Sequence, residues 1–221
     1  MQRTPEPELM DDAAQALAYA RADFAAPHAR FVALQCERTR ASELRGRALD
    51  LGCGPGDITF RVAEALPQLA LDAVDGAEAM LALAREDAAI RGLTARVRFA
   101  RAHLPHEAPP ARDYALVYSN SLLHHLREPA ALWESAKRFG APGARVFVGD
   151  LLRPASEAEA HALVAREAGG EPEVLQRDFF YSLCAAYRAD EVRAQLAAAR
   201  LEHFAFEVVS DRHWIAWGEL G

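Results

Sequence analysis

The sequence predicts an α/β domain, doubly wound around a mostly parallel sheet. Three observations predict it. Short apolar runs alternate with stretches of helical periodicity along most of the chain, the pattern of strands joined by crossover helices. The run from Ala48 ends at Asp50-Leu51, turns through Gly52, Gly54 and Gly56, and enters a helical pattern with Ile58, Val62 and Leu66 on one face. The chain closes on two apolar runs, His203 to Ser210 and Trp214 to Gly218. Asp211-Arg212-His213 joins them as the link of an antiparallel hairpin.

Strand, glycine turn and helix together hold nucleotide-like ligands. Glycines let the backbone approach the ligand, and a helix N-terminus presents unpaired N–H groups. A second strand, Leu69 to Val74, ends at Asp75, where a carboxylate suits the two hydroxyls of a ribose. The turn departs from the dinucleotide fingerprint G-x-G-x-x-G/A, because Asp57 takes the sixth position. That carboxylate disfavours a pyrophosphate and tolerates a ligand with a cationic or amino group.

On the stretches LDLGCGPGD (Leu49 to Asp57) and VDGAEAML (Val74 to Leu81), the sequence resembles the class I S-adenosylmethionine (SAM)-dependent methyltransferases. The resemblance runs from about Ala48 to Gly218. It implies a Rossmann-like, seven-stranded, mostly parallel sheet with a C-terminal antiparallel hairpin and an N-terminal helical lid. It implies SAM as cofactor and S-adenosylhomocysteine as its product. It points to cofactor contacts at Asp50, Gly52, Gly54, Asp75 and Gly76, and at Met80, which packs against the adenine. Ala102 and His103 stand where the family carries an acid for the adenine amino group, so backbone groups or His103 replace that contact, or His103 is a surface loop residue. Ala115 replaces the usual aspartate of the fourth strand. Ser119 and Asn120 leave that strand toward the ligand.

In chain order, Met1 to Met10 is polar and proline-containing and reads as an extended lead-in. Asp11 to Phe24 is helical, with Leu17, Tyr19 and Phe24 as its larger side chains. A second helix runs from Pro27 to about Leu44, with Phe31, Leu34 and Cys36 inward. Residues 1–45 form a lid, with Tyr19 over the cofactor, a structural cover, or both; residues 46–221 form the SAM-binding domain. A helix from Ala77 to Arg91 carries Met80, Leu83 and Ile90 on its apolar face and stops at Gly92. Strands follow at about Arg96 to Ala102, Tyr114 to Ser119 and Arg145 to Gly149, with a helix from Pro129 to about Phe139 before the last. An insert at about 153–187 covers the site, and Asp190 to Leu201 is a helix. Phe179, Phe180 and Tyr181 either shape an acceptor pocket or fill a core.

The chain has 221 residues and a net charge of −7, which argues against a general electrostatic grip on nucleic acid. The three cysteines show neither a disulfide framework nor zinc spacing. No apolar run approaches the ~20 residues of a membrane span, and the first residues lack a signal peptide's apolar core. A cytoplasmic setting is expected; oligomeric state is not specified.

The expected reaction is in-line transfer of a methyl group from SAM to a small-molecule acceptor. His124 is the candidate base and Asp150 the second; an unprotonated amine or thiolate needs neither. The pair His124-His125 lacks i, i+4 spacing and a third ligand nearby, so no metal is expected. Arg153 and Tyr181 are the expected acceptor contacts, or Asp150 and Arg153 form a pair that only pins the loop. Arg153, with Arg177 and Arg212, suits a carboxylated acceptor. The alternatives are a SAM-binding protein without catalysis and a nicotinamide-dependent oxidoreductase. Asp57 and the lack of a separate substrate domain count against the latter.

Overall fold

The computed structural model describes residues 1–6 and 10–221. Seven strands form one sheet in the order β3-β2-β1-β4-β5-β7-β6. They are β1 (Gly46–Leu51), β2 (Leu69–Asp75), β3 (Val97–Arg101), β4 (Tyr114–Asn120), β5 (Gly140–Leu151), β6 (Ala205–Val208) and β7 (His213–Glu219). β1 to β5 pair in parallel. β7 pairs antiparallel with both β5 and β6, so the terminal hairpin inserts its second strand next to β5. The chain winds outward from β1 to β3, then restarts at β4 on the other side of β1. Ligands bind at such a switch point, beyond the carboxyl ends of the strands.

Helices cover both faces, which is why the inner strands read as nearly continuous apolar runs. α3 (Asp57–Ala65) and α2 (Ala25–Arg38) bury Ile58, Val62, Phe31 and Val32 against Leu71, Leu116 and Phe147. On the other face α5 (Ala130–Phe139) and α8 (Ala189–Ala198) bury Trp133, Phe139, Val192 and Leu196 against Leu49, Val117 and Val146. The remaining helices are α1 (Ala13–Arg21), α4 (Glu78–Ile90), α6 (Glu157–Ala168) and α7 (Glu173–Ala185). α1 starts on Asp12, whose side chain accepts from Gln15 N, and α6 starts on Ser156 in the same way.

Two expectations about helices change. α2 stops at Arg38, short of Leu44, because Arg40 takes a left-handed backbone (φ 49) and only a short 3-10 turn, Ala41–Glu43, follows. Ile90 is 76% exposed at the end of α4 and does not share its buried face, which Met80, Leu81, Ala84 and Ala88 supply. Of the lead-in, residues 7–9 lie outside the described residues; residues 1–6 have no helix or strand.

One buried carboxylate ties four strands. Asp72 on β2 accepts two hydrogen bonds each from Arg47 on β1 and Arg98 on β3, and one from the Tyr114 hydroxyl on β4. Burial opposes its charge, but these donors outweigh it and hold its pKa below the ordinary carboxylate value. The stabilisation is therefore present at neutral pH and is lost as pH falls through the lowered folded-state pKa. Asp72→Ala is expected to lower unfolding free energy by about 2–3 kcal/mol, below the range for fully buried pairs because both guanidinium groups are partly solvated. Urea unfolding measures it; a loss below 1 kcal/mol would remove Asp72 from this role.

Candidate active site

The glycine turn lies at the carboxyl end of β1, and Gly52 and Gly54 are glycine for different reasons. Gly52, Gly54 and Gly56 all have positive φ, at 73°, 52° and 91°. A Cβ on Gly52 would stand 2.7 Å from Leu122 Cδ1, so this glycine lets the segment after β4 close on the turn. A Cβ on Gly54 would meet nothing within 4 Å. Gly54 lines a cavity of ≈ 520 Å³, and a side chain there would fill ligand space. We expect Gly52→Ala to cost about 1–3 kcal/mol of stability through backbone strain, plus the Leu122 clash. Gly54→Ala should cost less stability and more ligand affinity. Thermal melts and calorimetry with S-adenosylhomocysteine separate the two; equal effects of both changes on both readouts would contradict this.

Asp75 closes the turn from the β2 side. Its Oδ2 accepts from Gly54 N and its Oδ1 from Ala77 N, both at 2.8 Å. Burial pushes its pKa up, against these backbone donors. Each oxygen keeps a further lone pair for the cavity, which suits two ribose hydroxyls. Gly76, Met80, Ala102, His103 and Asn120 line the same cavity, and Met80 is buried beside Ala16 and Ala77. His103 also bonds Arg101 through its ring at 3.0 Å, and its backbone N–H donates to Glu107. Asp50 reaches the cavity but is buried. Its Oδ2 accepts from Thr59 of α3, and burial raises its pKa to about 7, so it first ties β1 to α3.

α1 and α2 roof this cavity. Tyr19 lines it, packed at 4.9 Å on Phe24, and burial pushes its phenol up to about 12. Asp57, the residue that breaks the dinucleotide pattern, bonds His28 of α2 at 2.6 Å and Arg61 at 2.8 Å. Although burial opposes it, these partners bring its pKa down to about 2 and join the roof to α3.

A second cavity of ≈ 900 Å³ adjoins the first, sharing Tyr19, Phe24, His28, Asn120, Ser121 and His125 as walls. Ser121 at this junction has φ 55, an uncommon conformation for a serine. His124 stands in the second cavity at 2% exposure. Its Nδ1 lies 2.5 Å from Asp150 Oδ1, and its backbone N–H reaches Asp150 Oδ2 at 3.3 Å. Burial works against the imidazolium, but Asp150 and, beyond it, Glu6 outweigh it and hold the His124 pKa above its ordinary value. Asp150 is held below the usual carboxylate range by His124, against the effect of burial. In the neutral ring, Nδ1–H directed at Asp150 leaves the lone pair on Nε2.

Glu6 was not legible as a site residue. Its Oε1 lies 3.4 Å from both His124 Nε2 and His125 Nδ1, and burial raises its pKa. The expectation that no third ligand-type residue lies near the histidine pair is thus corrected: atoms of Glu6, His124 and His125 fall within 4.8 Å of one another. The N-terminal segment is held by Thr4 N on Cys184 O at 3.0 Å, and by Arg3 on Ala185 O at 2.6 Å and His124 O at 3.0 Å.

Two expected contacts lie elsewhere. Ser119 is buried, donates to Leu51 O at 2.8 Å and lines neither cavity. Arg153 also lines neither. It is buried, bonding Ala186 O at 2.9 Å and Glu191 at 2.7 Å, so its charge is spent joining β5 to α8. Tyr181 lines the second cavity at 49% exposure. Phe179 lines it too, while Phe180 stacks on His161 at 4.4 Å.

A family model described as a methyltransferase domain matches residues 49–146, from the glycine turn through most of β5. Over those residues the chain carries a methyltransferase domain. It is 35% identical over 124 residues to a trans-aconitate 2-methyltransferase of Mycolicibacterium gilvum, covering 55% of this chain and 45% of that protein. It is 33% identical over 115 residues to a ubiquinone biosynthesis O-methyltransferase of Methylococcus capsulatus, covering 51% and 46%. The chain thus spans about half the length of the curated relatives it matches. In fold it is similar to the plantazolicin methyltransferase BpumL, crystallised with S-adenosylhomocysteine (TM-score 0.70, 13% identity, 95% and 92% of the two chains). It is also similar to a SAM-dependent methyltransferase of Aquifex aeolicus (0.67, 18%, 95% and 99%).

Proposed function

We propose that this protein transfers a methyl group from SAM to a small-molecule acceptor. The observation that carries the reading is the join of two cavities. One is formed by the glycine turn and Asp75, and the other opens beside His124 and Asp150. SAM, when bound, supplies a methyl group already activated on sulfur, so the protein contributes position, dryness and a proton acceptor.

Gly54 leaves space for the ligand, Asp75 offers lone pairs, and Met80 presents an apolar wall for a flat base. Ala102 and His103 form the far rim. Tyr19, in the segment 1–45 that we take as the lid, excludes water above. In the second cavity His124 takes a proton from a hydroxyl or protonated amine acceptor through Nε2. Asp150 fixes its tautomer and stabilises the imidazolium that results. Tyr181, on the 153–187 insert, forms part of the acceptor wall.

The relatives' names differ in acceptor, trans-aconitate in one and ubiquinone biosynthesis in another, so they support a small molecule and no narrower class. No helix among the described residues is long and apolar enough to cross a membrane. Three free cysteines suit a cytoplasmic setting, where thiols stay reduced. The test is transfer of a labelled methyl group from SAM to a panel of amines, phenols, thiols and carboxylic acids. Label appearing in a small product supports the reading. S-adenosylhomocysteine binding without transfer to any member would favour a binding protein.

A further inference from the structure

We propose that the acceptor is a protonated amine on an apolar body, with its ammonium group held by Glu6; this rests on the methyl-transfer reading above. Three carboxyl groups with side chains at most 18% exposed, Glu6, Asp150 and Asp178, line the second cavity. Asp150 is engaged with His124. Asp178 accepts from Gln15 at 2.7 Å. Glu6 is different: its side chain is 10% exposed, and its Oε1 is buried without a hydrogen bond among the described residues, with only the ring nitrogens of His124 and His125 near it, each at 3.4 Å. A buried carboxyl oxygen without a hydrogen bond is completed by a donor, and an ammonium group that enters the cavity brings one.

The cavity's arginines do not answer it, and they do not prepare it for an anion. Arg212 is paired with Glu167 at 2.7 Å and Asp211 at 3.3 Å. Arg30 donates to Val209 O at 2.8 Å, and Arg177 stands 60% exposed beside Asp178. Arg153, the arginine expected to hold a carboxylated acceptor, is outside the cavity. An anionic acceptor would place its charge beside Glu6 and Asp178, whereas an ammonium group would gain from both. Tyr19 and Phe24, whose rings line the junction with the cofactor cavity, suit the same cation and its apolar body. The 4.8 Å grouping of Glu6 with His124 and His125 is likewise a corner that favours positive charge.

An ammonium nitrogen has no lone pair. One proton passes from it to His124 Nε2, and the freed pair forms the bond from nitrogen to the methyl carbon. The sulfur–methyl bond breaks with its electrons left on sulfur. The methylated nitrogen carries a positive charge again, and Glu6 remains its partner.

The experiment titrates the protein, saturated with S-adenosylhomocysteine, with 2-phenylethylamine and with 3-phenylpropanoate, probes of similar body and opposite charge. The amine should bind, and the carboxylate should bind at least ~10-fold more weakly. Glu6→Gln should cost amine affinity roughly tenfold or more while S-adenosylhomocysteine affinity and the unfolding midpoint hold. Equal or tighter carboxylate binding, binding of neither probe, or an unchanged Glu6→Gln variant would overturn the proposal. So would zinc binding that needs Glu6, in a protein that ignores the amine. Failure to bind S-adenosylhomocysteine would bring down the methyl-transfer reading as well; binding of it with indifference to the amine brings down the amine proposal alone.

Discussion

His124→Ala should lower turnover by about 10²–10⁴-fold, the usual contribution of a positioned acid–base group, and leave cofactor affinity nearly unchanged. The split follows from placement. His124 lines the second cavity and not the glycine-turn cavity, so its loss removes a proton acceptor without touching the cofactor cradle. The same geometry sets the pH dependence. The carboxylate partners hold the imidazolium on to higher pH than usual, and only the neutral ring acts as base. Activity should therefore rise with pH, with its midpoint above the ordinary imidazole value. Asp150→Asn removes the largest of these stabilising charges, so the midpoint should move down while the maximal rate falls. Steady-state rates across pH for wild type and both variants read this directly. A His124→Ala variant that loses cofactor affinity and keeps its turnover would make the ring a cofactor contact. A midpoint that ignores Asp150→Asn would break the pairing.

Asp75→Ala should weaken S-adenosylhomocysteine binding by about 1–3 kcal/mol, the cost of losing hydrogen bonds to a charged group. Two effects add. The carboxylate's free lone pairs no longer meet the ligand, and the Gly54 and Ala77 N–H groups lose the acceptor that fixes the turn. Asp75→Asn keeps the shape and one acceptor oxygen, so it should fall between wild type and alanine. Calorimetric titration of the three proteins, with unfolding midpoints alongside, separates the bracing role from the ligand contact. Affinity unchanged in the alanine variant would remove Asp75 from the ribose.

What could be read from the sequence follows from how local each signal is. The glycine turn, Asp75 and the hairpin were legible because each is specified within about ten residues by conformational preference or period. The start of α3 and the span of α5 were legible for the same reason. His124 and Asp150 were each legible as candidates, but their contact was not. It arises from the pairing of β4 with β5, which places the segment after Asn120 against the end of β5. Glu6 was illegible. A short polar lead-in gets its position from Thr4 and Arg3 bonding the carboxyl end of α7, about 180 residues away. Arg153 and Ser119 misled for a related reason: a polar residue at a strand end can face the ligand or brace the fold. Glu191 and the Leu51 carbonyl, which decide the matter, are invisible locally. Ile90 fitted the helical period, but the sheet leaves the last turn of α4 uncovered.

The most direct test of the central claim is calorimetric titration of the purified protein with S-adenosylhomocysteine and, separately, with NADH. A glycine turn that leaves cavity space at Gly54, joined to Asp75 and sealed by an Asp57 bound to His28 and Arg61, predicts saturable 1:1 binding of S-adenosylhomocysteine and none of NADH. Binding of NADH alone, or of neither, would contradict it.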